Sequence, residues 1–135
     1  MQVIVYAQNN GQVAVCYPTG ELPIEEVLTK DCPENAIIVE NDSLPNEHSN
    51  FFNAWELNGT AVTVNLTKAK AITKDRLRAE RTPLLAAQDV AFQRALESGA
   101  DTTAIVAEKQ RLRDITKLAD QATTLEQLKE LGTAL

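Results

Sequence analysis

The amino-acid sequence predicts an α+β protein, with a small N-terminal antiparallel β module in residues 1–64 and a C-terminal α-helical hairpin in residues 65–135. Charge marks the division, because the first part carries nine acidic residues and one basic residue, Lys30, whereas the second carries twelve basic and ten acidic residues. Periodicity marks it too. Short β-branched runs and turn dipeptides fill the first part, and apolar residues at helical spacing fill the second.

The first part contains several short strand patterns that end in turn signals. The strands are predicted at residues 3–7, 12–17, 36–39 and 60–64, with residues 51–57 leading into the last one. The Asn-Gly dipeptides at 10–11 and 58–59 supply the positive φ angles of tight hairpins. A short helix containing Ile24 and Leu28 follows Pro23, and residues 41–50 form a polar loop. We expect one small sheet with one helix.

The second part reads as two long amphipathic helices and a short one. Asn65 or Thr67 can cap the first helix, whose apolar stripe is expected to be buried. That stripe consists of Leu77, Leu84, Leu85, Ala91, Phe92, Ala95 and Leu96. Pro83 predicts a kink or break, and Gly99 predicts the helix end. Asp101 caps the second helix, whose stripe is Ile105, Leu112, Ile115 and Ala119. The pattern of residues 123–126 predicts a capping box for the short terminal helix.

Phe51, Phe52 and Trp55 are three of the six aromatic residues and lie within five positions. Such a cluster can anchor a partner protein, because aromatic residues dominate interface hot spots. The simpler interpretation is that it forms the core of a small sheet domain, since large aromatic side chains supply most of its burial. Both interpretations remain open from the sequence.

A basic run of Lys68, Lys70, Lys74, Arg76, Arg78 and Arg81 opens the helical part. Its arginines are candidate partner-binding residues. Nucleic-acid binding is disfavoured because no aromatic residue is interleaved for stacking and the helical part is only weakly basic. A solvated face with local pairs such as Asp75–Arg78 and Arg76–Glu80 is the simpler interpretation. Attraction to the acidic β module, within one chain or across an oligomer, is a third.

Neither the histidine nor the cysteines form a recognisable site. His48 stands alone in a polar loop and is expected to be solvated, since a metal site needs three or four ligands. Cys16 and Cys32 are expected to be reduced, mostly buried thiols, because a disulfide framework needs more cysteines. No nucleophile elbow, phosphate loop or metal motif is present, so no metal, cofactor or enzymatic activity is expected.

The segment from Lys70-Ala71-Ile72-Thr73 through Arg76-Leu77-Arg78 to Lys109-Gln110-Arg111-Leu112-Arg113-Asp114 resembles a C-terminal segment of small tailed-bacteriophage proteins. These proteins are typically encoded close to tail-fibre genes. The resemblance covers residues 67–118, with a weaker likeness at the N-terminus, and the family often has a hydrophobic residue where this chain has Gln88. In some relatives this segment forms the C-terminal end of a tail-fibre assembly chaperone. The family offers no catalytic residues.

The resemblance implies a non-enzymatic phage tail-region protein, either a tail-fibre assembly chaperone or a minor structural adaptor. Its partner would be a tail-fibre or other tail protein, with a homo-oligomer as a further possibility. The location would be the host cytoplasm during assembly or the virion tail. No signal peptide or membrane span is predicted, and the net charge of −6 disfavours anionic membranes. The alternative is a phage regulatory or anti-defence protein that binds a host protein through its acidic face.

Overall fold

A computed structural model describes all residues from 1 to 135 and has the predicted α+β architecture. Antiparallel sheets come first in the chain and long helices follow. The chain forms two compact units, Met1–Ala69 and Lys70–Leu135. The boundary suggested by the sequence, between residues 64 and 65, lies five residues before this division.

The first unit contains two antiparallel sheets, where the sequence suggested one. Strand β1 (Gln2–Ala7) lies between β2 (Val13–Cys16) and β3 (Ile37–Glu40). Strands β4 (Trp55–Asn58) and β5 (Ala61–Val64) form a separate hairpin. The expected loop after β3 is instead largely 3₁₀-helical, over Asn41–Ser43 and Asn46–Ala54.

Both predicted hairpins form, but their asparagines do not adopt positive φ angles. In the β4–β5 hairpin only Gly59 does so, at +64°, and Asn58 pairs with Ala61 in the ladder. This places glycine at the first central turn position, as in a type II′ turn. The Asn-Gly signal therefore located the hairpin but assigned the turn to the wrong residues.

The core of the first unit lies on one face of β1 and β2. Its buried members are Val3, Val5, Val13, Leu44, Trp55 and Val62. Ile4 points to the opposite face of β1, since side chains alternate along a strand, and it is also fully buried. Helix α1 (Ile24–Asp31) contacts β1 and β3. Burial on both faces is how a sheet this small encloses enough apolar surface.

Helix α2 (Leu66–Ser98) begins at a side-chain cap. The Asn65 side-chain oxygen accepts from the backbone N–H of Lys68 at 3.0 Å, which satisfies one of the free amides of the first turn. The expected break at Pro83 does not occur, and the helix continues for four more turns. A helix interior tolerates proline when packing outweighs the one lost backbone hydrogen bond.

The turn after α2 is a Schellman motif. Gly99, at φ +70°, donates to the Leu96 carbonyl at 3.3 Å, and Ala100 donates to the Ala95 carbonyl at 2.8 Å. The Asp101 carboxylate then accepts from the backbone N–H of Thr103, where α3 (Thr103–Gln121) begins. The sequence predicted the glycine stop, whereas Asp101 binds the first amide of α3 from one residue before the N-cap, which is Thr102.

Helix α4 (Leu125–Leu131) begins with the predicted kind of cap, shifted by one residue. The Thr124 hydroxyl accepts from the Gln127 backbone N–H at 3.3 Å, and Gln127 Oε1 accepts from the Thr123 backbone N–H at 2.7 Å. Gln127 therefore takes the place that the sequence gave to Glu126. Either Gln or Glu can fill this position.

Candidate functional site

The aromatic cluster is built into the first unit. Phe51 and Trp55 are 1% and 3% exposed. Phe52 is half-buried against the core, and its ring centroid lies 4.9 Å from that of Trp55. The Trp55 indole N–H donates to the His48 carbonyl at 3.3 Å. Of the three predicted anchors, Phe52 alone keeps appreciable accessible surface, so the core interpretation describes the cluster better than the interface interpretation.

Most residues of the basic run have partners inside their own unit. Lys68 Nζ lies 3.0 Å from Glu56 Oε1 in the first unit, and Lys74 Nζ lies 3.0 Å from Asp120 Oδ1 in the second. Each of these ion pairs joins two neighbouring elements of its own unit through a lysine side chain. The Lys68–Glu56 pair joins the basic run to an acidic residue of the β module, the kind of contact that the third interpretation described.

The three candidate arginines have three different environments. Arg81 Nη1 donates to the carbonyls of Leu112 and Arg113, at 3.3 and 2.9 Å, and so joins α2 to α3. Arg78 forms the expected local pair with Asp75 at 3.1 Å and stays exposed. Arg76 points towards Gly132, where a Cβ would meet its Nη1 at 3.0 Å, in place of the expected pair with Glu80. Of the three, only Arg78 is exposed, and Arg76 and Arg81 are half-buried.

The contacts between α2 and α3 define an antiparallel hairpin. Asp89 meets Lys109, Arg81 meets the carbonyls at 112 and 113, and Lys74 meets Asp120. As the residue number in α2 falls from 89 to 74, the number of its partner in α3 rises from 109 to 120, so the two helices run in opposite directions. Leu112 and Ile115 are buried in this seam, as predicted for the α3 stripe.

The α2 stripe is only partly buried. Leu77 and Ala95 are buried, but Leu84 is 40% exposed and Leu96 is 60% exposed, against expectation. Leu77 and Ala95 are five full helical turns apart and therefore share one line along the helix. Leu84 lies only about 20° from this line, so its exposure reflects incomplete cover along the length of the helix, whereas Leu96 lies about 100° from the line and faces away from it.

The hairpin consequently carries a set of large aliphatic side chains that are 40–60% exposed. These exposed aliphatic residues are Leu84, Val90, Leu96, Val106 and Leu118. On α2, Leu84, Val90 and Leu96 follow one another at six-residue intervals, about 120° apart around the helix, so they are separate apolar contact points and not one continuous patch.

A shallow groove lies at the end of the helical unit where α3 meets α4. Its volume is about 340 Å³, and its lining residues are Leu118, Gln121, Ala122, Gln127, Glu130 and Leu131. The capping residues Thr124 and Gln127 hold α4 in the position that creates it. Its lining combines aliphatic side chains with polar ones, a composition that suits an apolar side chain of a partner. We call this the α3–α4 groove.

Charged pairs line the exposed side of α3. Arg111 donates to both carboxylate oxygens of Glu108, at 3.0 and 2.7 Å, and these hydrogen bonds lower the pKa of Glu108. Hydrogen bonds from Gln110 and then Lys117 lower the pKa of Asp114. Both carboxylates are therefore ionised at neutral pH, and they give the helix a mixed-charge surface around its exposed aliphatic residues.

His48 differs from its sequence expectation. Its side chain is 11% exposed, because the 3₁₀ segment that contains it folds over Trp55. No group of three or more His, Cys, Asp or Glu side chains is arranged to hold a metal ion. None of the helices combines the length and apolar composition needed to cross a membrane.

The chain was compared with protein-family models, curated proteins and solved structures, and no match was found.

Sequence reasoning overlooked several residues of the hairpin surface. Val90, Val106 and Leu118 lie outside the two apolar stripes. This position could have predicted their exposure, because an apolar residue off the buried stripe faces outward. The α3–α4 groove had no such signal. It depends on the direction that the chain takes after Ala122, which capping residues alone do not specify.

Proposed function

We propose that this chain is a non-enzymatic bacteriophage tail-region protein that acts through protein–protein contacts, as a tail-fibre assembly chaperone or a minor structural adaptor. The observation that carries the proposal is that two features occupy the same part of the chain. The segment that resembles phage tail-region proteins, residues 67–118, spans the α2–α3 hairpin and contains all five exposed aliphatic residues.

The architecture of the helical unit suits reversible capture of an unassembled polypeptide. The hairpin is fastened by Lys109–Asp89, Lys74–Asp120 and the two hydrogen bonds of Arg81. A rigid scaffold loses little conformational entropy on binding. Burying one half-exposed leucine contributes about 1 kcal/mol, so a few such contacts give an association that later assembly steps can reverse.

The two forms of the proposal differ in the fate of the protein. A chaperone binds the fibre chain before trimerisation and leaves it afterwards, whereas an adaptor stays in the finished assembly. Size-exclusion chromatography of a mixture with assembled fibre trimers separates the two, because only an adaptor co-elutes with the trimer.

Binding to the fibre polypeptide should depend on the α3–α4 groove. Leu118→Asp places a charge in the groove lining and should lower the affinity at least tenfold in a titration with the purified fibre chain, because a carboxylate is costly to bury unpaired. Leu22→Asp is the matched control, since Leu22 is 42% exposed in the first unit and Leu118 is 47% exposed. Equal affinity of the two variants would contradict a role for the groove.

A second candidate function rests on the first unit. It carries nine carboxylates and few cations, and residues such as Glu25, Glu34 and Asp42 are exposed. This surface suits a regulatory or anti-defence protein that binds a basic host protein, because opposite charge speeds encounter. A gene position beside fibre genes favours the first candidate, and a position among early genes favours the second.

A further inference from the structure

Cys16 and Cys32 lie at the ends of two neighbouring elements of the first unit. Cys16 is the last residue of β2 and pairs directly with Ile4 of β1. Directly paired residues share a face of the sheet, so the Cys16 side chain lies on the face of Ile4, opposite the main core. Helix α1, which packs against β1 and β3, ends at its C-cap residue Cys32.

The two thiols are close enough to interact with each other. Burial raises the pKa of the Cys32 thiol above its ordinary value, and the charge of Cys16 and a hydrogen bond between the two side chains add to this. Asp31, the residue before Cys32, lines the same surface depression as Cys16, so the end of α1 lies beside the end of β2.

Both thiols are also accessible to a small reagent. Each cysteine is half-buried. Cys16 lines a surface depression of about 250 Å³ together with Val27 and Asp31 of α1. Cys32 lines a second depression of about 300 Å³. A small disulfide can therefore approach either sulfur without unfolding of the chain.

We propose that Cys16 and Cys32 form a modification site, a dithiol that a low-molecular-weight disulfide such as oxidised glutathione converts reversibly to an intramolecular disulfide. This inference concerns the first unit and is independent of the function proposed for the helical hairpin.

The chemistry is two successive thiol–disulfide exchanges. The thiolate of one cysteine attacks a sulfur of the reagent, so that a mixed disulfide forms, the reagent's S–S bond breaks and one glutathione thiolate leaves. The other cysteine thiolate then attacks the protein sulfur of the mixed disulfide, which releases the second glutathione thiolate. Two protein thiols are oxidised, one reagent disulfide is reduced, and the two protons lost by the cysteines pass to the two glutathione thiolates.

The bond would fasten the end of α1 to the end of β2. It closes the segment from residue 16 to residue 32, which includes the turn at Gly20 and all of α1. Closing a loop of this size restricts the unfolded chain and should raise the melting temperature of the first unit by about 5–15 °C. The bond would persist in an oxidising compartment and open in a reducing one.

Peptide mapping provides the direct test. Trypsin separates the two cysteines, because Lys30 is the only Lys or Arg between them and the next one after Cys32 is Lys68. The folded full chain is incubated with oxidised glutathione, blocked with an alkylating reagent, digested and analysed by mass spectrometry without reduction. We expect residues 1–30 linked to residues 31–68 in monomeric protein, and loss of this link after treatment with dithiothreitol.

Single-cysteine variants give the matched control. Cys16→Ser and Cys32→Ser each retain one thiol and should accumulate the mixed disulfide with glutathione, whereas the parent chain should resolve it. A parent chain that keeps glutathione on both cysteines, or that links only between two chains, would overturn the proposal. Because this readout uses the parent protein, a folding defect in either variant leaves it valid.

Discussion

Lys109 of α3 and Asp89 of α2 form the tightest charged contact between the two long helices, with Lys109 Nζ 2.7 Å from Asp89 Oδ1. The same ammonium lies 5.2 Å from the centroid of the Phe92 ring. The Lys109 side chain is 17% exposed, so its aliphatic stem packs into the hairpin while its charge meets two partners. A lysine in this position stabilises the hairpin through packing as well as through charge.

Lys109→Ala should therefore lower the free energy of unfolding by about 1–2 kcal/mol, because it removes the ion pair, the contact with the aromatic ring and the buried stem. Urea denaturation followed by circular dichroism measures the loss. Lys117→Ala is the control, since Lys117 is 72% exposed and pairs with Asp114 on its own helix; its cost should stay below about 0.5 kcal/mol. Equal costs would mean that Lys109 does not join the helices.

The candidate arginines should separate into a structural and a surface residue. Arg81→Gln removes both hydrogen bonds to the α3 carbonyls and should cost about 1–2 kcal/mol of stability. Arg78→Gln removes only an exposed pair with Asp75 and should change stability by less than about 0.5 kcal/mol. If Arg78 contacts a partner, its variant should lose affinity at unchanged stability. A large stability loss in Arg78→Gln would contradict the assigned environments.

The acid stability of the first unit should depend on Glu56. Hydrogen bonds from Lys68 and then Asn65 lower the pKa of the Glu56 carboxyl. A carboxyl whose pKa is lower in the folded chain stabilises the fold above its unfolded pKa, and this contribution disappears as the pH falls through its folded pKa. The parent chain should therefore lose more stability than Glu56→Gln between about pH 7 and pH 3.

NMR titration of the Glu56 side-chain carbon tests the cause of this shift. Lys68→Met removes the largest contribution and should move the Glu56 midpoint upward, towards the ordinary value of a glutamate. An unchanged midpoint would show that Lys68 is not responsible.

The sequence predicted those parts of the fold that depend on local backbone chemistry. The Gly99 stop and the Asn65 cap form, and Asp101 binds the first amide of α3, because each satisfies amides or carbonyls within a few residues of itself. The two hairpin positions were correct for the same reason. The central turn residues of the β4–β5 hairpin and the capping pair of α4, Thr124 with Gln127, each lie one residue from their predicted positions.

Properties that depend on distant contacts were harder to predict. The sequence left Trp55 as either a core or an interface residue, and contact with Val3, Val13 and Leu44 decides this. Leu84 follows the same helical periodicity as Leu77, yet only Leu77 is buried. Helical spacing identifies the face on which a residue lies, but whether that face is covered at a given turn depends on the neighbouring elements.

The central proposal, that this protein assists or joins a tail fibre, is tested most directly by co-expressing it with a tail-fibre polypeptide encoded in the same genome and measuring the yield of soluble trimeric fibre. The account predicts a several-fold higher yield with the parent chain and with Leu22→Asp, and a lower gain with Leu118→Asp. A fibre yield that is the same with and without this protein, together with no co-elution of the two, would contradict it.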